Sequence, residues 1–338
     1  MVILNELRKD PVTRRWVIIS SERSKRPNNY HYDEAINDIF CPFDYGNENS
    51  TPEEIFSIRK DSTQKNKSGW NLRVVPNKFP ALTTEQNFLK SGHGMYDKTS
   101  AYGYHEVIIE TPEHNTSFAL MKKEQISLVI KGYIERYNEI KKDKSIKYIQ
   151  IFKNSGKRAG ASLVHPHSQL IATPIVPYTI YEELKGAEEY FKFKDRCVFC
   201  DMIHQEIFEK SRIIMKTKKF ICFAPYASRF PYELMILPIE HNDDFGNLKG
   251  KDSEIDEISE IFSHVFRKFR DILGNPSYNL VLHTAPFVNN VSDYYHWHFE
   301  IIPRTTNIAG FEWGTGFYIN TVPPEQTALD LNYKEDII

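Results

Sequence analysis

The chain has 338 residues, 41% apolar and 26% charged, a balance that excludes disorder, collagen and coiled coil and allows about two domains by length. With 43 Lys and Arg against 45 Asp and Glu the net charge is −2, so the basic surface of a nucleic-acid binder is missing and a small-molecule partner is expected. No apolar run approaches the ~20 residues that cross a bilayer and the charged N-terminus has no signal-peptide core, so the expectation is a cytoplasmic protein without a membrane partner.

In chain order, apolar β-branched runs bounded by Pro, Gly or Asn predict strands at Leu72 to Pro76, Glu106 to Glu110, Tyr148 to Phe152 and Gln169 to Thr173. Between the second and third, Ile126, Val129, Ile130, Tyr133, Ile134, Tyr137 and Ile140 recur at helical spacing and predict an amphipathic helix. A Glu-, Lys- and Tyr-rich stretch over 176–196 predicts a connecting helix. The first order then returns, with strands at Phe220 to Ala224, Glu233 to Pro238, Tyr278 to Leu282 and His298 to Ile302, and a helical stripe from Ile255 to Ile272. Thr111-Pro112-Glu113-His114 is echoed by Pro238-Ile239-Glu240-His241. The chain reads as α+β: two tandem units, each a mainly antiparallel sheet with a packed amphipathic helix, over residues 1–178 and 195–338, with a connecting helix at 179–194. The polar stretch after Pro323 reads as a surface wrap.

The strongest local signal is His165-Pro166-His167-Ser168-Gln169, which follows the small-residue stretch from Asn154 to Ser162. Alternation along a strand turns both histidines to one side, and the proline between them fixes φ. A loop of small residues suits close approach of backbone N–H groups to phosphate. A neutral imidazole at His167 is a competent nucleophile toward an α-phosphorus, with Gln169, Ser162 and Asn154 as donors to its oxygens. Arg23 and Arg26, with Arg14 and Arg15 nearby, offer guanidinium forks for phosphate, against the reading that they are solvated charges near a terminus. Asn77 and Lys78 are candidates to contact base or ribose.

Four cysteines are too few for a disulfide framework, so metal binding is the natural use of a close pair. Cys197-x-x-Cys200 has zinc-knuckle spacing, and the repeat supplies His241 and His296 to complete a tetrahedral set; two buried reduced cysteines are the alternative. The equivalent set in the first half is Cys41, Asp44, His114 and His165, with a carboxylate in place of the second thiolate. Metal there would orient the strand that carries His167, a structural role.

The chain resembles the galactose-1-phosphate uridylyltransferase family of the histidine-triad superfamily. The pieces that carry the resemblance are Arg15-Trp16-Val17-Ile18 with Arg23 and Arg26-Pro27, Cys41-Pro42-Phe43, Asn77 to Leu82, Phe152-Lys153-Asn154 with Gly160-Ala161-Ser162, the His165 to Gln169 motif, and His296-Trp297-His298 to Arg304. The resemblance implies two fused histidine-triad units, double displacement through uridylyl-His167, and a homodimer with active sites near the subunit interface. It implies phosphate binding by Gln169 and Ser162 and nucleotide binding by Asn77, Asn154, Arg23 and Arg26. Within Gly310 to Gly316 it implies acceptor-sugar contacts from Glu312, Gly314 and Thr315. The implied reaction is uridylyl transfer from UDP-glucose to galactose 1-phosphate in galactose metabolism, with zinc as metal. A related branch transfers AMP, as in ADP-glucose phosphorylases. From other classes, a nucleotide hydrolase or a nucleotide-binding module shares the same residues. His296-Trp297-His298 lacks the downstream Ser-Gln and the glycine loop, so metal and packing are expected of it rather than nucleophilic attack.

Overall fold

The computed structural model describes residues 5–22, 40–59, 63–288 and 291–332. The chain opens with β1 (Glu6–Lys9) and β2 (Trp16–Ile19), then β3 (Phe56–Arg59), β4 (Trp70–Pro76), an exposed hairpin of β5 (Lys90–His93) and β6 (Tyr96–Thr99), and β7 (Tyr104–Ile109). Helix α1 (Lys123–Ile140) leads to β8 (Tyr148–Ser155) and β9 (His167–Thr173), and α2 (Tyr178–Lys194) and α3 (Val198–Glu209) follow. Then come β10 (Ile213–Lys216), β11 (Phe220–Phe223), β12 (Leu234–Pro238), α4 (Asp252–Leu273), β13 (Tyr278–His283) and β14 (His298–Pro303). The end holds α5 (Gly310–Thr315), β15 (Tyr318–Asn320) and α6 (Pro324–Leu331).

Ten strands form one antiparallel sheet in the order β10-β11-β12-β14-β13-β8-β9-β7-β4-β3. Both edges give the same sequence of roles toward the centre, and the two sets of five meet where β8 pairs β13, Asn154 opposite Asn279. The two halves therefore share one continuous sheet. Short gaps between paired strands favour the antiparallel arrangement expected from the sequence.

The apolar stripes of α1 and α4 lie on one face, where Ile126, Val129, Ile130, Tyr133 and Ile134 pack with Ile258, Phe262, Val265 and Phe266 over Leu72, Ile108, Ile149 and Leu170. Each fully buried Leu, Ile or Phe there contributes about 1.5–3 kcal/mol, so this layer dominates the stability of the fold. On the opposite face, α2 and α3 cover the second half with Ala187, Val198, Phe199 and Ile203 over Ile221, Phe223, Met235 and Leu237. The same face of the first half carries a smaller cluster of Cys41, Phe43, Trp70, Val75, Val107 and Ile109. Among the described residues, the first half is therefore covered less on this face than the second.

A separate sheet, β1-β2-β15, pairs β15 parallel to β2 and rests on Ala227 of the second half. Gly186 lets α2 approach the N-terminal turn, since a Cβ there would lie 1.8 Å from the Val12 carbonyl oxygen. The segment after Pro323 is not the surface wrap its polarity suggests. It is α6, started by Pro324 at its first turn, and its spacing puts Thr327, Ala328 and Leu331 on one buried face against the core. Among the described residues no helix is long and apolar enough to cross a membrane.

Candidate active site and metal-binding clusters

Strand β9 starts at His167, and Ile109 and Val107 of β7 stand opposite His167 and Gln169. His167 is 8% exposed and its ring lies edge-on to Phe43, 5.4 Å between centroids. Its Nδ1 donates to the His165 carbonyl oxygen at 2.8 Å. A carbonyl can only accept, so the proton sits on Nδ1 and Nε2 keeps its lone pair. Burial, opposed by the bond to the His165 carbonyl, holds the imidazole pKa below its ordinary value, which keeps that lone pair free near neutral pH.

Gln169 and Asn154 flank this histidine, both half-buried on the same face of the sheet. Gly156 opens the small-residue loop at φ +82°, and a Cβ there would meet Ser277 Oγ at 2.1 Å, so the turn requires glycine. Ser162 is exposed on the way to the strand. Asn77 reaches the same region: its side chain accepts from Phe79 N–H at 2.9 Å and its amide nitrogen lies 3.1 Å from Nε2 of His105, which in turn contacts Gln169 at 2.9 Å. Lys78 is exposed and reaches the Ser50 carbonyl at 3.5 Å. Arg14 pairs with Glu189 and the Arg15 guanidinium lies over the Tyr318 ring. Arg23 and Arg26 lie outside the described residues.

The structure brings together both sets of four expected ligands, each with its ligand atoms within 4.8 Å of one another. In the first, His114 Nδ1 and His165 Nδ1 lie 2.8 and 2.9 Å from the same oxygen of Asp44, beside Cys41. His165 Nε2 donates to the Thr111 carbonyl, which leaves a bare Nδ1 facing a carboxylate when the ring is neutral. A cation between them removes that repulsion, so the donor set fits a metal. Burial raises the Asp44 pKa, but the hydrogen bond from His114 leads the opposing influences and the net shift is downward.

The second set repeats the logic. His296 Nε2 donates to the Pro238 carbonyl at 2.9 Å and His241 Nε2 to the Ser292 carbonyl at 2.5 Å, so both rings turn Nδ1 toward the thiols. His241 Nδ1 is 3.3 Å and His296 Nδ1 is 3.9 Å from Cys200 Sγ. Hydrogen bonding from Cys200 leads the causes that hold the Cys197 thiol well below its ordinary range, the form a metal ligand needs, and the Cys200 thiol is pushed up in return. Cys197 occupies the N-cap position of α3 and His296 lies two residues before β14, so the helix start and the approach to that strand set the geometry.

His298 copies His167 locally, its Nδ1 donating to the His296 carbonyl at 3.1 Å. Its surroundings differ. Phe199 and His283 stack 5.3 and 4.8 Å away, and α2 inserts Glu183, which accepts from His283 at 3.0 Å and Tyr295 at 2.8 Å. Burial drives the His298 pKa down to about 4. Glu183, His283 and His298 form a third compact group that sequence reading overlooked, because Glu183 reaches it only through the packing of α2. His105 and Asn279 were also overlooked; His105 shows itself only as a polar residue in the alternation with Val107 and Ile109.

Glu312, Gly314 and Thr315 lie on α5, whose start is closed by Ala309 N–H donating to Glu312 at 3.0 Å. α5 packs beside β15 of the three-stranded sheet. Phe311 and Trp313 on it are 47% and 76% exposed.

Among the described residues, a buried histidine whose Nε2 keeps its lone pair stands beside the side-chain amides of Asn154 and Gln169. The family model for the galactose-1-phosphate uridyl transferase N-terminal domain matches residues 2–177 and the C-terminal domain model matches 183–326. The chain belongs to the galactose-1-phosphate uridyl transferase family, and it is an enzyme of that family. It is 35% identical to ADP-glucose phosphorylase of Arabidopsis thaliana over 96% of this chain and 91% of that protein. It is 29% identical to galactose-1-phosphate uridylyltransferase of Thermotoga maritima over 98% of each. Among solved structures, the Arabidopsis ADP-glucose phosphorylase with bound ADP-glucose superposes with TM-score 0.83 at 32% identity, covering 98% of this chain and all of that one. A uridylyltransferase structure gives 0.74 at 25%, covering 97% of each.

Proposed function

We propose that the protein moves a nucleoside monophosphate from a nucleotide sugar to a phosphate acceptor through a covalent nucleotidyl-His167, with UDP-glucose as donor and galactose 1-phosphate as acceptor. The observation that carries this is the Nδ1–H of His167 held by the His165 carbonyl, which leaves Nε2 as the nucleophile. Nε2 forms the N–P bond as the bond from the α-phosphorus to the bridging oxygen breaks, and glucose 1-phosphate leaves with that electron pair. A phosphate oxygen of the acceptor then forms a P–O bond, the N–P bond breaks and the ring recovers its lone pair. Gln169, Ser162 and Asn154 donate to the phosphate oxygens, and Asn77, Arg23 and Arg26 hold the nucleotide.

A second reading, transfer of AMP from ADP-glucose to phosphate, is favoured by the higher identity and TM-score to the Arabidopsis ADP-glucose phosphorylase. Both readings share the fold expectation of two fused histidine-triad units, over residues 1–178 and 195–338, joined by a helix at 179–194. The matching strand order of the two halves supports it. Zinc suits the Cys197, Cys200, His241, His296 set by its two thiolates and two imidazoles, and Cys41, Asp44, His114, His165 by the same logic with one oxygen ligand. When bound, the metal supplies a rigid cross-link between elements rather than Lewis-acid activation. We take the working form to be a homodimer in the cytoplasm, where the thiols stay reduced. In that homodimer, acceptor-sugar contacts fall to Glu312, Gly314 and Thr315 of α5.

The test is incubation with UDP-glucose and, separately, ADP-glucose, followed by intact mass under non-acidic conditions. A gain of UMP lost in His167→Ala supports the first reading, and a gain of AMP alone moves the assignment to the second. Binding without adduct would make a hydrolase or a binding module the better account.

A further inference from the structure

Two backbone groups settle which way two side-chain amides face. The Ala81 N–H, which can only donate, lies 3.0 Å from His105 Nδ1, so that nitrogen accepts and Nε2 carries the ring proton. Nε2–H then donates to Gln169 Oε1 at 2.9 Å. The neighbouring Asn77 amide nitrogen is no acceptor, and its own oxygen is taken by Phe79 N–H. With its oxygen held, Gln169 has its NH2 group left for the site. On the other side, the Ala159 carbonyl, which can only accept, lies 2.9 Å from Asn279 Nδ2. The second hydrogen of that nitrogen goes to Asn154 Oδ1 at 2.8 Å, so Asn154 too has its oxygen held and its NH2 left over. That NH2 lies beside the loop, 3.8 Å from where a Cβ on Gly160 would stand.

We propose that His105 and Asn279 are positioning residues that fix the polarity of Gln169 and Asn154, so that both amides meet the nucleotide phosphate as donors and neither as an oxygen. The proposal rests on the nucleotidyl-transfer reading above. An amide and its flipped form have nearly the same shape, so packing alone does not choose between them. An oxygen turned to a phosphate repels the charge that builds there in the transition state, whereas a pre-aimed N–H stabilises it without reorganisation. Asn279 belongs to the second half and reaches Asn154 across the β8/β13 seam. The second half thus completes the donor set of the first.

Single-turnover labelling of His167 by the sugar nucleotide, with nucleotide affinity measured separately, tests this in the full-length protein. His105→Phe keeps a ring but loses the donor, and Asn279→Ala loses the other; each is expected to slow labelling about tenfold while the nucleotide Kd changes less than about threefold. His105→Gln can accept from Ala81 and donate to Gln169, and is expected to recover most of the loss. Unchanged labelling in His105→Phe, an equal loss in His105→Gln, or a Kd that rises in step with the rate loss would each overturn the proposal. Absence of any adduct in the unmodified protein would overturn the transfer reading and this proposal with it. Should the variants fail to fold, nitrogen-15 NMR of the unmodified protein labelled at histidine decides: a neutral His105 protonated at Nε2 is expected, and one protonated at Nδ1 refutes the arrangement.

Discussion

Lys153 places its ammonium 2.6 Å from the Glu110 carboxylate directly beneath the nucleophile strand, and the same nitrogen donates to the His167 carbonyl oxygen at 3.2 Å. Both side chains are buried, Glu110 accepts from Ser168, and Tyr133 contacts Ser168 at 2.5 Å.

A buried pair of this kind is costly to break and cheap to replace whole. Lys153→Met leaves a buried carboxylate without its counter-charge and is expected to destabilise the protein by about 3–5 kcal/mol in urea unfolding. The double variant with Glu110→Leu is expected to recover most of that loss. Equal losses in the single and double variants would show that the pair is not the origin of the effect.

The metal clusters make a compositional prediction. Purified protein is expected to carry zinc, and Cys200→Ser to lose about one equivalent of it with a lowered thermal midpoint. Elemental analysis of both proteins checks this; an unaltered zinc content in Cys200→Ser would move the metal elsewhere.

The two His-x-His motifs are expected to separate cleanly. His167→Ala abolishes the nucleotide adduct. His298→Gln leaves it in place and lowers stability by about 1–3 kcal/mol, the range for a disturbed buried side chain. Intact mass and thermal unfolding on the same samples read both effects.

The docking of α6 is expected to depend on pH. Burial raises the Glu325 pKa, but hydrogen bonds from Arg8, from the helix start and from Arg212 outweigh it, and the net shift is downward. A carboxylate depressed in the folded state contributes stability above its unfolded pKa, and that contribution is lost as pH falls through the folded value. Glu325→Gln is therefore expected to cost about 1 kcal/mol near pH 7, with the difference from the unmodified protein closing in acid below pH ~4. Unfolding midpoints from pH 3 to 8 check it; a difference that persists at the acid end would locate the effect outside this carboxylate.

Elements with strong local periodicity were legible in the sequence. The stripes of α1 and α4 and the apolar runs of β4, β8, β9, β11 and β13 each carry their own signal over a few residues. The short strands β1, β2 and β15 were not, because four or three residues carry too little pattern and their pairing joins residues some 300 positions apart, as Ile18 with Ile319. α6 was misread because its four buried residues out of eight include a proline and a threonine and leave a polar composition. Of the site, His167, Gln169, Asn154 and both metal sets came from spacing and repeat. His105 and Asn279 did not, since Asn279 finds Asn154 only through a register between strands 125 residues apart.

The sequence by itself determined the chemical inventory: which donors, thiols and imidazoles exist, and that two His-x-His motifs recur at matching places. Backbone alternation and the carbonyl of the first histidine then give His167 and His298 the same tautomer, a purely local outcome. Only the tertiary structure decided that, among the described residues, one of them is covered less than the other. Helices α2 and α3 cover the second half, bringing Phe199 and Glu183 against the His298 cluster, while the first half carries the smaller Phe43 and Trp70 cluster and leaves Asn154 and Gln169 half-exposed. Access of a phosphate to a ring nitrogen depends on what distant segments bury, and burial is a property of the packed chain rather than of any stretch within it.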